Sequence, residues 1–325
     1  MTKKNEQIGN SRRDFLKNSA MLASLLAMKP ISSYSYFNEQ ENGKVRQGKM
    51  HGIQIGAVSF VDEGVENVLD FLQKEVNINT LFITVFTYGR GLAGRQIPGH
   101  PMPDHGSQVS DESTYHGGNY AMSHPKFYAR TVLKETRAPE HGDFDVLAAV
   151  LPEAKKRGMK VFASVEDQWR QDVPGLSNLR EYDLYGRRAN TLCLFNPDVK
   201  EFWTALVADL CSSYPIDGIL FFNERNGPFL SALGASHFQS IDSSRATCFC
   251  EHHRKAAEAY GLDFKRVTEG YRKLDIFVQK ALKDIRPSDG YYVEFQRLLL
   301  DYPEITAYDE LFDLAKHQIL KDVYA

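Results

Sequence analysis

Leu81–Tyr88 reads LFITVFTY, a run without a charge or a glycine, and it decides the fold class. A strand with one wet face alternates apolar and polar residues. A run that is apolar throughout is covered on both faces, which is the situation of a parallel sheet in an α/β protein. Working outward, the same kind of run recurs between helical patterns. Gly52–Phe60 (GIQIGAVSF) predicts a strand, and Val61–Val76, apolar at 65, 68, 69, 72 and 76, predicts an amphipathic helix. Downstream, Asp145–Arg157 predicts a second helix stopped by Gly158, and Lys160–Val165 a third strand. Pro197 opens a helix to about Ser213 behind Asn196 as its cap, and Asp217–Asn223 (DGILFFN) is the fourth strand.

Where the long insertions fall favours a TIM-type (β/α) barrel over a doubly wound sheet. Gly89–Gly142 and Asp167–Asn196 both follow strands, while the returns from helix to strand are short. Barrel enzymes build their sites from such loops, although doubly wound sheets do so too. After residue 245 the pattern turns helical, at about Arg245–Tyr260, Phe264–Ile285, Asp289–Asp301 and Ile305–Val323. Four strands against the eight of a full barrel imply its N-terminal half plus C-terminal helices, either truncated or completed by pairing.

The N-terminus carries a different message. Residues 11–17 read SRRDFLK, with the pair Arg12-Arg13 and then Phe15, Leu16 and Lys17, which match a twin-arginine export signal. The apolar run Met21–Met28 that follows is far below the roughly 20 residues that span a bilayer, so no stable membrane anchor is expected. Small residues around Ile31–Ser35 supply a cleavage site. The expected organisation is a signal peptide at 1–35, a linker at 36–50 and a barrel-like domain at 51–325, handled by the twin-arginine machinery and delivered to the periplasm or beyond. A net charge of −3, with no long single-sign run, argues against nucleic acid as a partner. Phosphate-cradling glycine loops, the G-x-S-x-G elbow and dinucleotide fingerprints are missing from the sequence, which disfavours nucleotide chemistry.

The chemistry concentrates where strands end. In Tyr214–Phe229 (YPIDGILFFNERNGPF) the fourth strand runs into Asn223-Glu224-Arg225, and a carboxylate there points into a barrel mouth. Glycoside hydrolysis needs two carboxyl groups flanking the scissile bond. Glu224 is the candidate acid, with Asn223 and Arg225 beside it to bind a sugar; the competing reading pairs Glu224 with Arg225 or Arg90 in a structural ion pair. Glu166 and Asp167, which close the third strand, are candidates for the second carboxylate or for substrate ligands. Arg90, His116, Asn119, Tyr120 and Trp169 lie in loops rich in aromatic and polar residues and are candidates for carbohydrate binding; a solvated surface loop reads the same way. Cys248-Phe249-Cys250-Glu251-His252-His253 sets thiols and imidazoles at a spacing that lets Cys248, Cys250 and His253 reach one zinc, with neither Cys193 nor Cys211 placed beside them. A pair of small buried cysteines or a disulfide fits the same residues.

Asn196-Pro197-Asp198, Asp209-Leu210, Tyr214-Pro215-Ile216-Asp217-Gly218, Glu224-Arg225-Asn226-Gly227-Pro228 and Cys248-Phe249-Cys250-Glu251-His252 together resemble exported bacterial TIM-barrel proteins related to glycoside hydrolases. The likeness spans about Gly52 to Tyr324. That group commonly has Cys-x-Cys-x-x-Cys, and His253 stands here in the third place. Asn223-Glu224 is also similar to the Asn-Glu pair of the large retaining clan of barrel glycosidases, which implies an acid/base role for Glu224 and a nucleophile on a later strand. The leading expectation is therefore an exported glycoside-hydrolase-like protein that acts on carbohydrate through carboxylates and requires no cofactor. Its rivals are a non-catalytic carbohydrate-binding protein on the same scaffold and a zinc-dependent hydrolase.

Overall fold

The computed structural model describes residues 49–87, 118–134, 136–139, 141–166, 175–222, 226–234 and 242–325. Lys49–Ala325 forms one compact unit. Its first strand, β1 (Gly52–Gly56), is shorter than the apolar run that predicts it: the chain turns at Gly56 into helix α1 (Ala57–Glu63). Gly64, at φ +83°, then separates α1 from α2 (Val65–Lys74). The break splits the expected helix because this backbone conformation, readily adopted by glycine, is not helical.

The apolar run at 81–88 becomes β2 (Thr80–Thr87), joined at its end by the two-residue antiparallel β3 (Gly118–Asn119). Helix α3 (Val146–Lys156) follows, capped by Asp145, whose carboxylate accepts from the Leu147 and Ala148 amides; this leads into β4 (Lys160–Glu166). The segment expected to be a long loop holds a hairpin, β5 (Arg180–Tyr182) and β6 (Arg188–Leu192). Helix α4 (Pro197–Ser213) begins on the Asn196 cap, as the Asn-Pro pair requires, and β7 (Gly218–Phe222) completes the main sheet.

That sheet is parallel in the order β1-β2-β4-β7, with β3 on the end of β2. Each new strand adds on the same side of the last, so the order contains no switch point of the kind that defines a doubly wound sheet. Among the described residues the sheet stays open. The fold is thus a mixed α/β arrangement on a parallel sheet.

The two faces of the sheet differ. Leu81, Ile83, Val85, Val161, Ala163 and Val165, all essentially inaccessible, pack against the helices. Trp203 of α4 is wedged edge-on between Phe86 and Phe221, with ring centroids at 5.4 and 5.0 Å. Each such large side chain contributes roughly 1.5–3 kcal/mol by leaving water. The opposite face carries Gln54, Phe82, Thr84, Phe162, Ser164, Glu166 and Leu220, and its rings Phe82 and Phe162 stack at 5.2 Å. Gly52 and Gly218 make room for that pair, since a Cβ at either would lie within 3 Å of a ring carbon.

The C-terminal third builds a second apolar cluster from α5 (Pro228–Ala232), α6 (Glu251–Ala259), α7 (Phe264–Leu282), α8 (Tyr291–Asp301) and α9 (Glu304–Tyr324). Tyr308 of α9 sits at its centre, ringed by Phe249, Phe264 and Tyr271. One turn position on, Asp309 accepts from the Phe229 amide at 2.9 Å and so fixes the start of α5.

Burial pushes the Asp309 carboxyl up to about 6, partly offset by that amide. The folded chain therefore holds this proton more tightly than the unfolded chain, where aspartate titrates near about 4. Stability falls as pH rises between those two values and is level above them. The effect is worth up to about 3 kcal/mol for a fully shielded carboxyl and about half that for a half-buried one. Asp309→Asn is expected to flatten this part of the pH profile, read from urea midpoints across the window.

Candidate functional site

Parallel strands present their C-terminal ends on one edge, and ligands of α/β folds bind outside that edge. Glu166 ends β4 there. Its side chain is almost completely buried, 8% exposed, and accepts from the Thr87 hydroxyl at 2.5 Å on one oxygen and from the Gln54 amide at 3.3 Å on the other. Gln54 also reaches the Thr84 hydroxyl at 3.5 Å, which ties β1, β2 and β4 together across the polar face. An isolated carboxylate in this place would be costly; donors on both oxygens offset its desolvation.

Thr87 reaches Glu166 because of an irregularity. The register runs Thr84 opposite Ser164 and then Phe86 opposite Val165, so Val85 is an extra residue on β2. Inserting one residue reverses the alternation of faces beyond it. Val85 and Phe86 both enter the helix-facing core, and Thr87 is returned to the face of Glu166. The Val85 carbonyl, displaced from the ladder, accepts from the Tyr120 amide at 2.8 Å.

β4 pairs with β7 residue by residue as far as Glu166 opposite Phe222. The strand that ends in Glu166 is therefore the direct neighbour of the strand that runs into Asn223-Glu224-Arg225. Those three residues, and Arg90, His116, Asp167 and Trp169, lie outside the described residues. Asn119 and Tyr120 are described, and both are buried. The Asn119 side chain donates to the Ser123 hydroxyl at 2.9 Å and accepts from the Ala121 amide at 3.0 Å, which makes it a brace for the turn after β3. Tyr120 is 3% exposed and packs its ring against His141. Sequence reasoning missed Thr87 and Gln54 as partners of Glu166, and nothing in their local sequence distinguishes them.

A second centre lies among the loops after β4 and β7. Cys193, immediately after β6, comes to 3.5 Å from the Cys250 sulfur and 3.3 Å from His253 Nδ1, and Cys250 is 3.5 Å from the same nitrogen. With Cys248 the four donor atoms all lie within 4.8 Å of one another. The three residues expected to cluster do so, and Cys193 joins them. Its signal in the sequence was the hairpin itself: Tyr182–Arg188 (YDLYGRR) is a turn closed around Gly186 at φ +76°. Burial pushes the Cys193 and Cys248 thiols up, whereas Cys250, hydrogen-bonded by both, is held well below the usual thiol range. Cys211 is exposed on α4, away from this group.

No family model matches the chain, and no curated protein matches its sequence. Among solved structures it is similar to alpha-L-fucosidase isoenzyme 2 from Paenibacillus thiaminolyticus, at 15% identity over 70% of this chain and 29% of that one, with a TM-score of 0.40. It is also similar to the GH20 exo beta-N-acetylglucosaminidase from Vibrio harveyi, at 14% identity over 70% of this chain and 34% of that one, with a TM-score of 0.34. The chain spans about a third of the length of either protein.

Proposed function

We propose that this chain is an exported carbohydrate-active protein of glycoside-hydrolase type, on a (β/α)-barrel architecture, with Glu166 and Glu224 as its carboxylate pair. One observation carries the reading: β4 and β7 are neighbours in register, Glu166 opposite Phe222, two residues before Glu224. Adjacent strands run about 4.7–4.9 Å apart. Retaining glycosidases need carboxyl groups about 5–5.5 Å apart and inverting ones about 6.5–9.5 Å, a separation that two neighbouring strand ends can set. The strand order, which never reverses, supports the barrel over the doubly wound alternative.

In this mechanism Glu224 donates its proton to the leaving glycosidic oxygen as the bond to the anomeric carbon breaks. Glu166 acts from the other side, as nucleophile or as the base that takes a proton from water. The Thr87 and Gln54 donors suit that role, because they fix the carboxylate's direction. Asn223, Arg225, Arg90, His116 and Trp169 are the proposed readers of sugar hydroxyls and ring faces. Asp167, next to Glu166, is a substrate ligand. Chemistry of this type runs on two carboxyl groups and needs no metal of its own.

Glu224→Gln and Glu166→Gln are each expected to lower nitrophenol release from a panel of aryl glycosides by about 1,000-fold or more while leaving the circular dichroism spectrum unchanged. Turnover that survives in both variants removes the carboxylate pair from the mechanism. Glycan binding without turnover in the parent protein moves the assignment to a lectin-like role.

Delivery through the twin-arginine machinery is part of the same proposal. Replacing Arg12 and Arg13 together by lysine is expected to hold the full-length chain in the cytoplasm of a bacterial host, as read by cell fractionation. An unchanged periplasmic yield sinks the export assignment without touching the chemistry.

A further inference from the structure

We propose that Cys193, Cys248, Cys250 and His253 form a closed, tetrahedral, structural zinc site that clamps the β5–β6 hairpin to the start of α6. Zinc bound at about 2.3 Å to sulfur and about 2.0–2.1 Å to nitrogen sets its donors roughly 3.5–3.8 Å apart. The observed separations of 3.3, 3.5 and 3.5 Å fall close to that, and no pair in the set exceeds 4.8 Å.

The surroundings fit a closed site. Cys193, Cys248 and His253 are each no more than 1% exposed. The His253 ring is packed between Phe195, at 4.1 Å between centroids, and Phe312, stacked at 5.9 Å, and this packing keeps Nδ1 aimed at the sulfurs. The Tyr182 amide donates to the Cys248 sulfur at 3.4 Å, and the Tyr308 hydroxyl donates to the Cys248 carbonyl at 2.6 Å. Backbone donors to sulfur and packing around the imidazole are the second-shell supports that orient metal ligands.

A disulfide between Cys193 and Cys250 is the competing use of these residues. It uses two of the four donors and leaves Cys248 and His253, both buried, outside the bond. Zinc engages all four. On binding, the aqua ion loses its waters, the protons still held by the ligands pass to solvent, and three Zn–S bonds and one Zn–N bond form; no oxidant or reductant takes part. Soft thiolate donors in tetrahedral array favour zinc over magnesium or calcium. With four protein ligands no position remains for water or substrate, so the site contributes folding energy and no catalysis. The ligands come from the hairpin's end, the loop before α6 and α6 itself, so the ion fastens the loop that leaves β4 to the C-terminal helices.

The test uses the full chain purified without chelator. Elemental analysis is expected to give one zinc per chain, and exchange for cobalt(II) the strong visible bands of a tetrahedral thiolate complex. Stripping the metal should lower the melting temperature by several degrees and expose the hairpin amides to hydrogen exchange, and zinc added alone should reverse both. Cys193→Ser is expected to weaken zinc binding at least about 100-fold, and Cys211→Ser to leave it unchanged. If Cys193→Ser is poorly folded, the parent protein decides by its metal content and cobalt spectrum. A metal-free protein with the mass of a Cys193–Cys250 disulfide overturns the proposal. So does full zinc affinity in a folded Cys193→Ser protein, or occupancy by another metal alone. None of these readouts depends on glycoside turnover.

Discussion

The extra residue at Val85 is the constraint on which the rest of the sheet depends. Strand alternation allows each position one face, and β2 must satisfy two demands at its C-terminal end. The Phe86 ring has to enter the core beside Trp203 and Phe202, and a hydrogen-bond donor has to reach the buried carboxylate on the other face. Without the insertion, Phe86 would face Glu166 and Thr87 would lie in the apolar layer, leaving a hydroxyl unpartnered there and a carboxylate opposite an aromatic ring. Either mismatch costs about 1–3 kcal/mol. The bulge meets both demands, and its displaced carbonyl starts the turn that leads through Asn119 and Tyr120 toward α3.

This explains what could and could not be read from the chain. Runs apolar at successive positions mark strands of a parallel sheet, so β2, β4 and β7 were legible, as was α4, whose Asn196-Pro197 start admits few alternatives. The same uniformity hides the parity of β2: LFITVFTY looks alike with or without a bulge. Gly52–Phe60 misled for a related reason, because a strand that turns at once into a short apolar helix keeps its composition across the boundary. Only Gly56 marks the change.

The candidate site divides along similar lines. Glu166 was visible as a carboxylate at the end of an apolar strand, but its donors were not, because Thr87 and Gln54 meet it through tertiary pairing over 79 and 112 residues of separation. Asn119 and Tyr120 read as ligand-binding residues because polar and aromatic side chains in a glycine-rich loop serve binding and bracing equally well; in the structure both are buried, and Asn119 braces the turn after β3. For the cysteines, Cys248, Cys250 and His253 are local in sequence, while Cys193 arrives only once the hairpin folds back.

The two centres then have a mechanical relation. The segment leaving β4 begins at Glu166 and ends at Cys193, and the hairpin within it is fastened on its far side: Asp183 binds Arg187 and Arg245, and Glu181 accepts from Thr191 and Thr247. A loop tied at both ends has less conformational entropy to lose when it meets a ligand than one tied at only one end. The cluster of buried thiols adds further contacts at that far end, between Cys193 and the start of α6.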